Sequence, residues 1–152
     1  MSRTSKATGV SLLELAVVLG IVALVLALLV PRLNSRPNHF AADLGELKAN
    51  LEVTRMLARS RTGQYRLRVA SSSQYVIERG TLIGATWTFS TVERTVTLRT
   101  GVSFESGSVG QAATFDSRGS LITADTTLTM LDTDRGWSRQ ILVRATGMVQ
   151  VQ

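Results

Sequence analysis

Apolar and polar positions divide the chain into three regimes. From Val10 to Val30 the residues are apolar or small, and Glu14 is the one charge among them. A helix of that length is roughly 30 Å long, enough to cross a hydrocarbon core. No polar face interrupts Leu15 to Val30, which argues against a helix buried in a globular core. Pro31 closes the run, and "PRLNSRPNHF" follows as a polar link interrupted by Pro31 and Pro37. Beyond it Phe40, Leu44, Leu47, Leu51 and Ala58 recur at helical spacing, with Lys48, Glu52, Arg55 and Arg59 on another face. This spacing predicts an amphipathic helix over residues 38–62, with Gly63 as its stop.

After Gly63 the period shortens to two. Alternating runs at 65–69, 73–78, 86–91, 94–99, 102–106, 112–116, 127–131, 139–145 and 148–152 are rich in Thr, Ser and Val. Glycines punctuate them at 80, 84, 101, 107, 110, 119, 136 and 147. Nine candidate strands after one long helix predict an α+β fold. Its spine helix has an apolar membrane half and an amphipathic half. The body is an antiparallel sheet or two sheets, one of them packed on the helix.

Composition adds mainly exclusions. The 152 residues contain no cysteine, so disulfides, thiol catalysis and thiolate metal sites are ruled out. His39 is the only histidine, which rules out a His-based metal site or a Ser-His-Asp triad. Asp132 and Asp134 in "LDTDRG" have D-x-D spacing, but no further ligand series follows, so a turn is the simpler reading. Neither a GxGxxG nor a Walker loop is present, and Trp87 and Trp137 are expected on sheet faces or in the core. No enzymatic activity and no cofactor is expected. The formal charge of +6 is concentrated in residues 32–70, where Arg32, Arg36, Lys48, Arg55, Arg59, Arg61, Arg66 and Arg68 face only Asp43, Glu46 and Glu52. Residues 71–152 are balanced, so the high pI does not make the whole chain a polyanion binder. Arg55, Arg59 and Arg61 are expected on a solvated face or as partners of neighbouring acids.

Arg3 and Lys6 supply the basic start of a secretory signal, but the apolar run is long for one and "LALLVPRLN" offers no good small-x-small cleavage site. A plain membrane anchor fits the length and leaves Glu14 without a reason, since an acid inside a span is costly. "GVSLLEL" followed by the apolar run resembles the leader and mature N-terminus of type IV pilins and type II secretion pseudopilins. The resemblance implies that a prepilin peptidase cuts between Gly9 and Val10 and that the new N-terminus is methylated. Glu14 would become the fifth mature residue, and Pro31 would mark a helix bend. Val10 departs from the Phe or Met more usual at the first mature position. The α-amino group exposed at Val10 would lie one helical turn from Glu14. In a filament the two could pair between subunits, where an unpaired carboxylate would be costly.

On this resemblance residues 1–9 form a cleaved cytoplasmic leader, 10–31 a transmembrane and assembly helix, 32–37 a bend or linker, and 38–152 a periplasmic helix plus β-rich domain. "LKANLEVTRMLARSRTGQYRLRV", "ATFDSRGSL" and "RQILVRATGMVQV" resemble the H-type minor pseudopilins and the FimT-like pilins. The implied function is that of a minor pseudopilin near the tip of a type II secretion pseudopilus, anchored in the bacterial inner membrane. Its partners would be other pseudopilins or pilins and the prepilin peptidase. The alternatives are a minor type IV pilin for pilus assembly or DNA uptake, and a membrane-anchored periplasmic domain with no filament role. Many FimT-like pilins of DNA uptake carry Gly-Arg-x-Arg near the C-terminus. Here Gly147 is followed by Met148 and Gln150 where arginines are expected, which argues against nucleic acid as a partner.

Overall fold

The computed structural model describes residues 12–33 and 38–152, with side chains for 12–25 and 38–152. The chain divides into two compact units, Met1–Pro37 and Asn38–Gln152. In the first, α1 spans Leu12–Leu33, and its helical backbone includes Pro31. An interior proline forfeits one hydrogen bond but does not forbid the turn that follows it. Its side chains from Leu12 to Val25 are exposed all round. Among the described residues no helix is long and apolar enough to cross a membrane. Gly9 and Val10 lie outside the described residues.

In the second unit α2 spans His39–Ser60, close to the helix predicted over 38–62. Asn38 caps its start, its side-chain Oδ1 accepting from the Ala41 N–H at 3.2 Å. At the other end the Gly63 N–H reaches back to the Ala58 carbonyl at 3.2 Å. Phe40, Leu47, Leu51 and Ala58 are buried, while Leu44 and Leu57 pack against the core from its margin. Burial of each large aliphatic side chain contributes about 1.5–3 kcal/mol.

A first antiparallel sheet has strand order β3-β2-β1-β5, built from β1 (Tyr65–Ser71), β2 (Gln74–Ile83), β3 (Thr86–Thr97) and β5 (Ala112–Phe115). A second has order β4-β6-β7-β8, built from β4 (Val102–Phe104), β6 (Thr126–Asp132), β7 (Trp137–Val143) and β8 (Val149–Val151). The helix touches both: β1 and β5 of the first, β4, β6 and β8 of the second. Two sheets, rather than one, therefore close the core. Tyr65, Leu67, Val69, Tyr75, Ile77, Phe115, Leu128, Met130, Ile141 and Val143 all lie inside it.

The runs at 86–91 and 94–99 join into the single strand β3, because Val92 and Glu93 contain no breaker. The pairing of β2 with β3 instead shifts register twice, between Ile77 and Glu78 and between Arg79 and Gly80. Strand β2 also runs on through Gly80, where a Cβ would stand 3.0 Å from the Trp87 ring and 3.1 Å from the Phe89 ring. The glycine lets the two aromatic side chains lie across the strand.

A polar stripe runs beside the apolar face of α2. Asp43, Asn50 and Thr54 are all buried. Asp43 Oδ2 accepts the Arg99 N–H at 2.8 Å, and the Arg99 guanidinium pairs with its other oxygen. The Arg94 guanidinium donates to Asn50 Oδ1 at 3.1 Å and to Glu46 at 3.3 Å. Asn50 Nδ2 donates to the Tyr75 hydroxyl at 2.7 Å, and burial pushes that hydroxyl up to about 12. These bonds fix the rotation of the helix about its own axis, which apolar packing leaves loosely defined.

Candidate functional site

Glu14 lies in the first turn of α1, where a carboxylate complements the exposed helical N–H groups. Leu12, Leu13 and Leu15 around it are 87%, 78% and 55% exposed. A helix that is apolar apart from Glu14 and exposes its side chains from Leu12 to Val25 is suited to lipid or to helices of other chains. Val10, its expected counter-ion, and Gly9 are outside the described residues.

Arg55 has a role that helical periodicity did not reveal. Its Nε donates to the Gly119 carbonyl at 2.9 Å and its Nη2 to the Thr146 carbonyl at 3.2 Å. One side chain of α2 thereby ties down two loops, the turn after β5 and the turn between β7 and β8. Both loops need glycine. Gly119 and Gly147 each have φ +81, and a Cβ on Gly147 would overlap the Gly119 carbonyl oxygen. Arg61 follows expectation, pairing with Glu93 at 3.4 Å. Arg59 packs its aliphatic stem beside Gly119.

On the outer face of the first sheet, Glu78 is held between Arg66 at 2.5 Å and Arg68 at 2.8 Å, with its own side chain only 5% exposed. The Arg66 guanidinium also lies over the Phe89 ring at 4.2 Å. Burial pushes the Glu78 carboxyl up, but the hydrogen bonds and charges of Arg68 and Arg66 outweigh it and hold the group below its ordinary value of 4.5. A depressed folded-state pKa contributes stability that is full above the unfolded value and is lost as pH falls through the folded one. Thermal melts between about pH 6 and pH 3 should therefore show a steeper acid loss in the native chain than in Glu78→Gln. Parallel curves would show that this cluster is not a source of acid sensitivity.

The D-x-D pair forms a turn. Asp132 Oδ1 accepts the N–H groups of Asp134 and Arg135 at 3.1 and 3.0 Å, and the Asp134 carboxylate lies beside Gly101. Among the described residues no three His, Asp or Glu side chains converge as a metal site would require. His39 is exposed at the first residue of α2. Trp137 stands exposed on the face of β7, and Trp87 is half-buried on the β2–β3 arm. The arginines are largely committed: Arg94 to Glu46, Arg99 to Asp43, Arg118 to Asp116 and Arg144 to Asp125. Clustered, uncompensated cations of the kind that neutralise phosphates are not what these pairs provide.

No family model and no curated protein matches the sequence. Solved structures do match the fold. The type IV minor pilin FimU of Pseudomonas aeruginosa aligns over 76% of this chain and 89% of its own, with a TM-score of 0.60 and 18% identity. The minor pseudopilin EpsH from the type 2 secretion system of Vibrio cholerae aligns over 74% of this chain and 94% of its own, with a TM-score of 0.54 and 14% identity. Both are pilin-type subunits, and neither likeness is to an enzyme. The helix resting on two antiparallel sheets is thus a pilin-like fold of the kind found in minor pilins and minor pseudopilins.

Proposed function

We propose that the chain is a minor subunit of a pilin-type filament, specifically an H-type minor pseudopilin of a type II secretion system. It would sit at or near the tip of a periplasmic pseudopilus that helps drive protein export. One conjunction carries this reading: a unit of pilin-like fold follows a separate apolar helix with an acid in its first turn. On this reading prepilin peptidase cleaves between Gly9 and Val10, the new terminus is methylated, and Glu14 pairs with the terminal amine of a neighbouring subunit. Residues 10–31 hold the chain in the bacterial inner membrane, with the leader cytoplasmic and residues 38–152 periplasmic. The work is assembly, with no enzymatic step and no cofactor.

A second reading, a minor type IV pilin, draws on the likeness to FimU as the first draws on that to EpsH. Deleting the chain from its own cells separates the two. The pseudopilin reading expects exported proteins to accumulate in the periplasm while surface pili persist. Loss of pili or of DNA uptake with secretion intact supports the second reading instead. No change in either would indicate an anchored domain outside any filament.

A further inference from the structure

Strands β2 and β3 outrun the sheet they belong to. The first residue of β1, Tyr65, lies opposite Arg79, and the Gly80 N–H reaches the Gln64 carbonyl at 2.8 Å. From Thr81 to Thr88 the two strands pair only with each other and form an arm. A two-residue turn, Gly84 and Ala85, closes it, with Gly84 at φ +65. The root of the arm is stiff. Trp87 and Phe89 lie half-buried across Gly80, and the Arg66 guanidinium, itself tied to Glu78, covers the Phe89 ring. Beyond that root every residue from Thr81 to Thr86 is exposed, Leu82 by 52% and Ile83 by 64%. No charged side chain occurs from Gly80 to Val92, although exposed strand edges are ordinarily blunted by charge.

Three observations say what receives the arm. The first is its backbone. Gly80 directs its N–H to the β1 side, so Leu82, two residues on, directs its N–H and C=O the same way, past the start of β1. Trp87, opposite Leu82, directs its own to the outer edge of β3. Hydrocarbon cannot satisfy such groups, whereas a protein cleft can. The second is its place. The root stands by the end of α2, where Arg61 pairs with Glu93 at 3.4 Å. The 22 residues of that helix put His39 roughly 33 Å away. Both strands of the arm are internal to the chain, and β8 belongs to the other sheet. The third is charge. Glu78 and Glu93 at the root are already paired, with Arg66 and Arg68 and with Arg61. Arg79 is exposed and enters no ion pair among the described residues.

We propose that the β2–β3 arm is an insertion element that seats Leu82 and Ile83 in an apolar cleft of a partner protein, whose rim carries a carboxylate for Arg79. Leu82 and Ile83 project from opposite faces of the ribbon, so the cleft closes around both. The stiff root holds the arm in place before contact, which reduces the ordering lost on binding. The proposal does not depend on which filament, if any, the chain joins.

The test is photocrosslinking of the full-length chain in its own cells, with benzoylphenylalanine in place of Ile83 and, as a control, of exposed Val109. The expected result is one protein captured from position 83 and not from 109, through a peptide with apolar residues and an Asp or Glu within a few positions. Leu82→Lys lies outside the core, so it should lower the yield at least tenfold with the thermal melt unchanged. Arg79→Glu should lower it at least tenfold, and Arg79→Lys should retain most of it. Overturning results are an undiminished yield in Leu82→Lys or Arg79→Glu, equal capture from 109, or capture of lipid, of a second copy or of another part of the same chain. Absence of any cross-link from a folded chain would also overturn it.

Discussion

If the chain is the filament subunit proposed above, Glu14→Ala should leave it in the membrane and remove it from the assembly. Replacing a carboxylate by a methyl group makes the apolar run more lipid-compatible, so insertion is not impaired. Assembly is different. If Glu14 of one subunit meets the terminal amine of the next among packed apolar helices, its removal leaves that amine buried without a counter-charge. Breaking one side of such a pair costs about 3–5 kcal/mol. Exposure near the membrane interface reduces that, and about 2 kcal/mol still lowers incorporation more than tenfold. The measurement is the amount of the chain cross-linked to pilin-type subunits, normalised to its amount in membranes. Glu14→Asp keeps the charge and should recover part of the loss. Equal cross-linking and unchanged secretion in Glu14→Ala would show that the acid has no pairing role.

Gly147→Ala should be among the most damaging substitutions in the second unit. Two costs coincide there. At φ +81 an L-residue is strained by about 1–2 kcal/mol. The new methyl group would also overlap the Gly119 carbonyl and press on the Arg55 guanidinium that holds both loops. Overpacking of this kind costs about 1–3 kcal/mol. Together, roughly 3 kcal/mol should lower Tm by about 10 °C. Gly136→Ala supplies the contrast. Its φ is +68, but nothing lies within 4 Å of the added Cβ, so it carries the strain without the clash. A Tm loss in Gly147→Ala no greater than in Gly136→Ala would mean that the packing of Arg55, Gly119 and Gly147 adds nothing to stability.

What the sequence disclosed follows from how strongly each feature repeats. The helix from His39 to Ser60 was legible because Phe40, Leu47, Leu51 and Ala58 mark one face over several turns. The strands were legible from alternation and glycine punctuation. Their number was not, since the two bulges in the β2–β3 pairing broke the alternation within β3. The polar seam of Asp43, Asn50 and Thr54 escaped notice because a search for helical periodicity counts apolar residues. These polar positions are buried only because Arg94, Arg99 and Tyr75 reach them from distant parts of the chain. Arg55 escaped for the same reason: its acceptors are loop carbonyls 64 and 91 residues away. Trp137 was expected on a sheet face or in the core, and it stands on β7 with 59% of its surface exposed. Glu14 was conspicuous from the start, as a charge where hydropathy alone would not place one.

The central claim, that this chain is a processed filament subunit, rests on an N-terminus created by cleavage. Intact-mass and peptide mass spectrometry of the chain isolated from the membranes of its own cells tests it most directly. The account predicts a protein that begins at Val10, carries a methyl group on its α-amine and retains Glu14. Recovery of only the chain that begins at Met1, or of a form cut near Pro31, would contradict it.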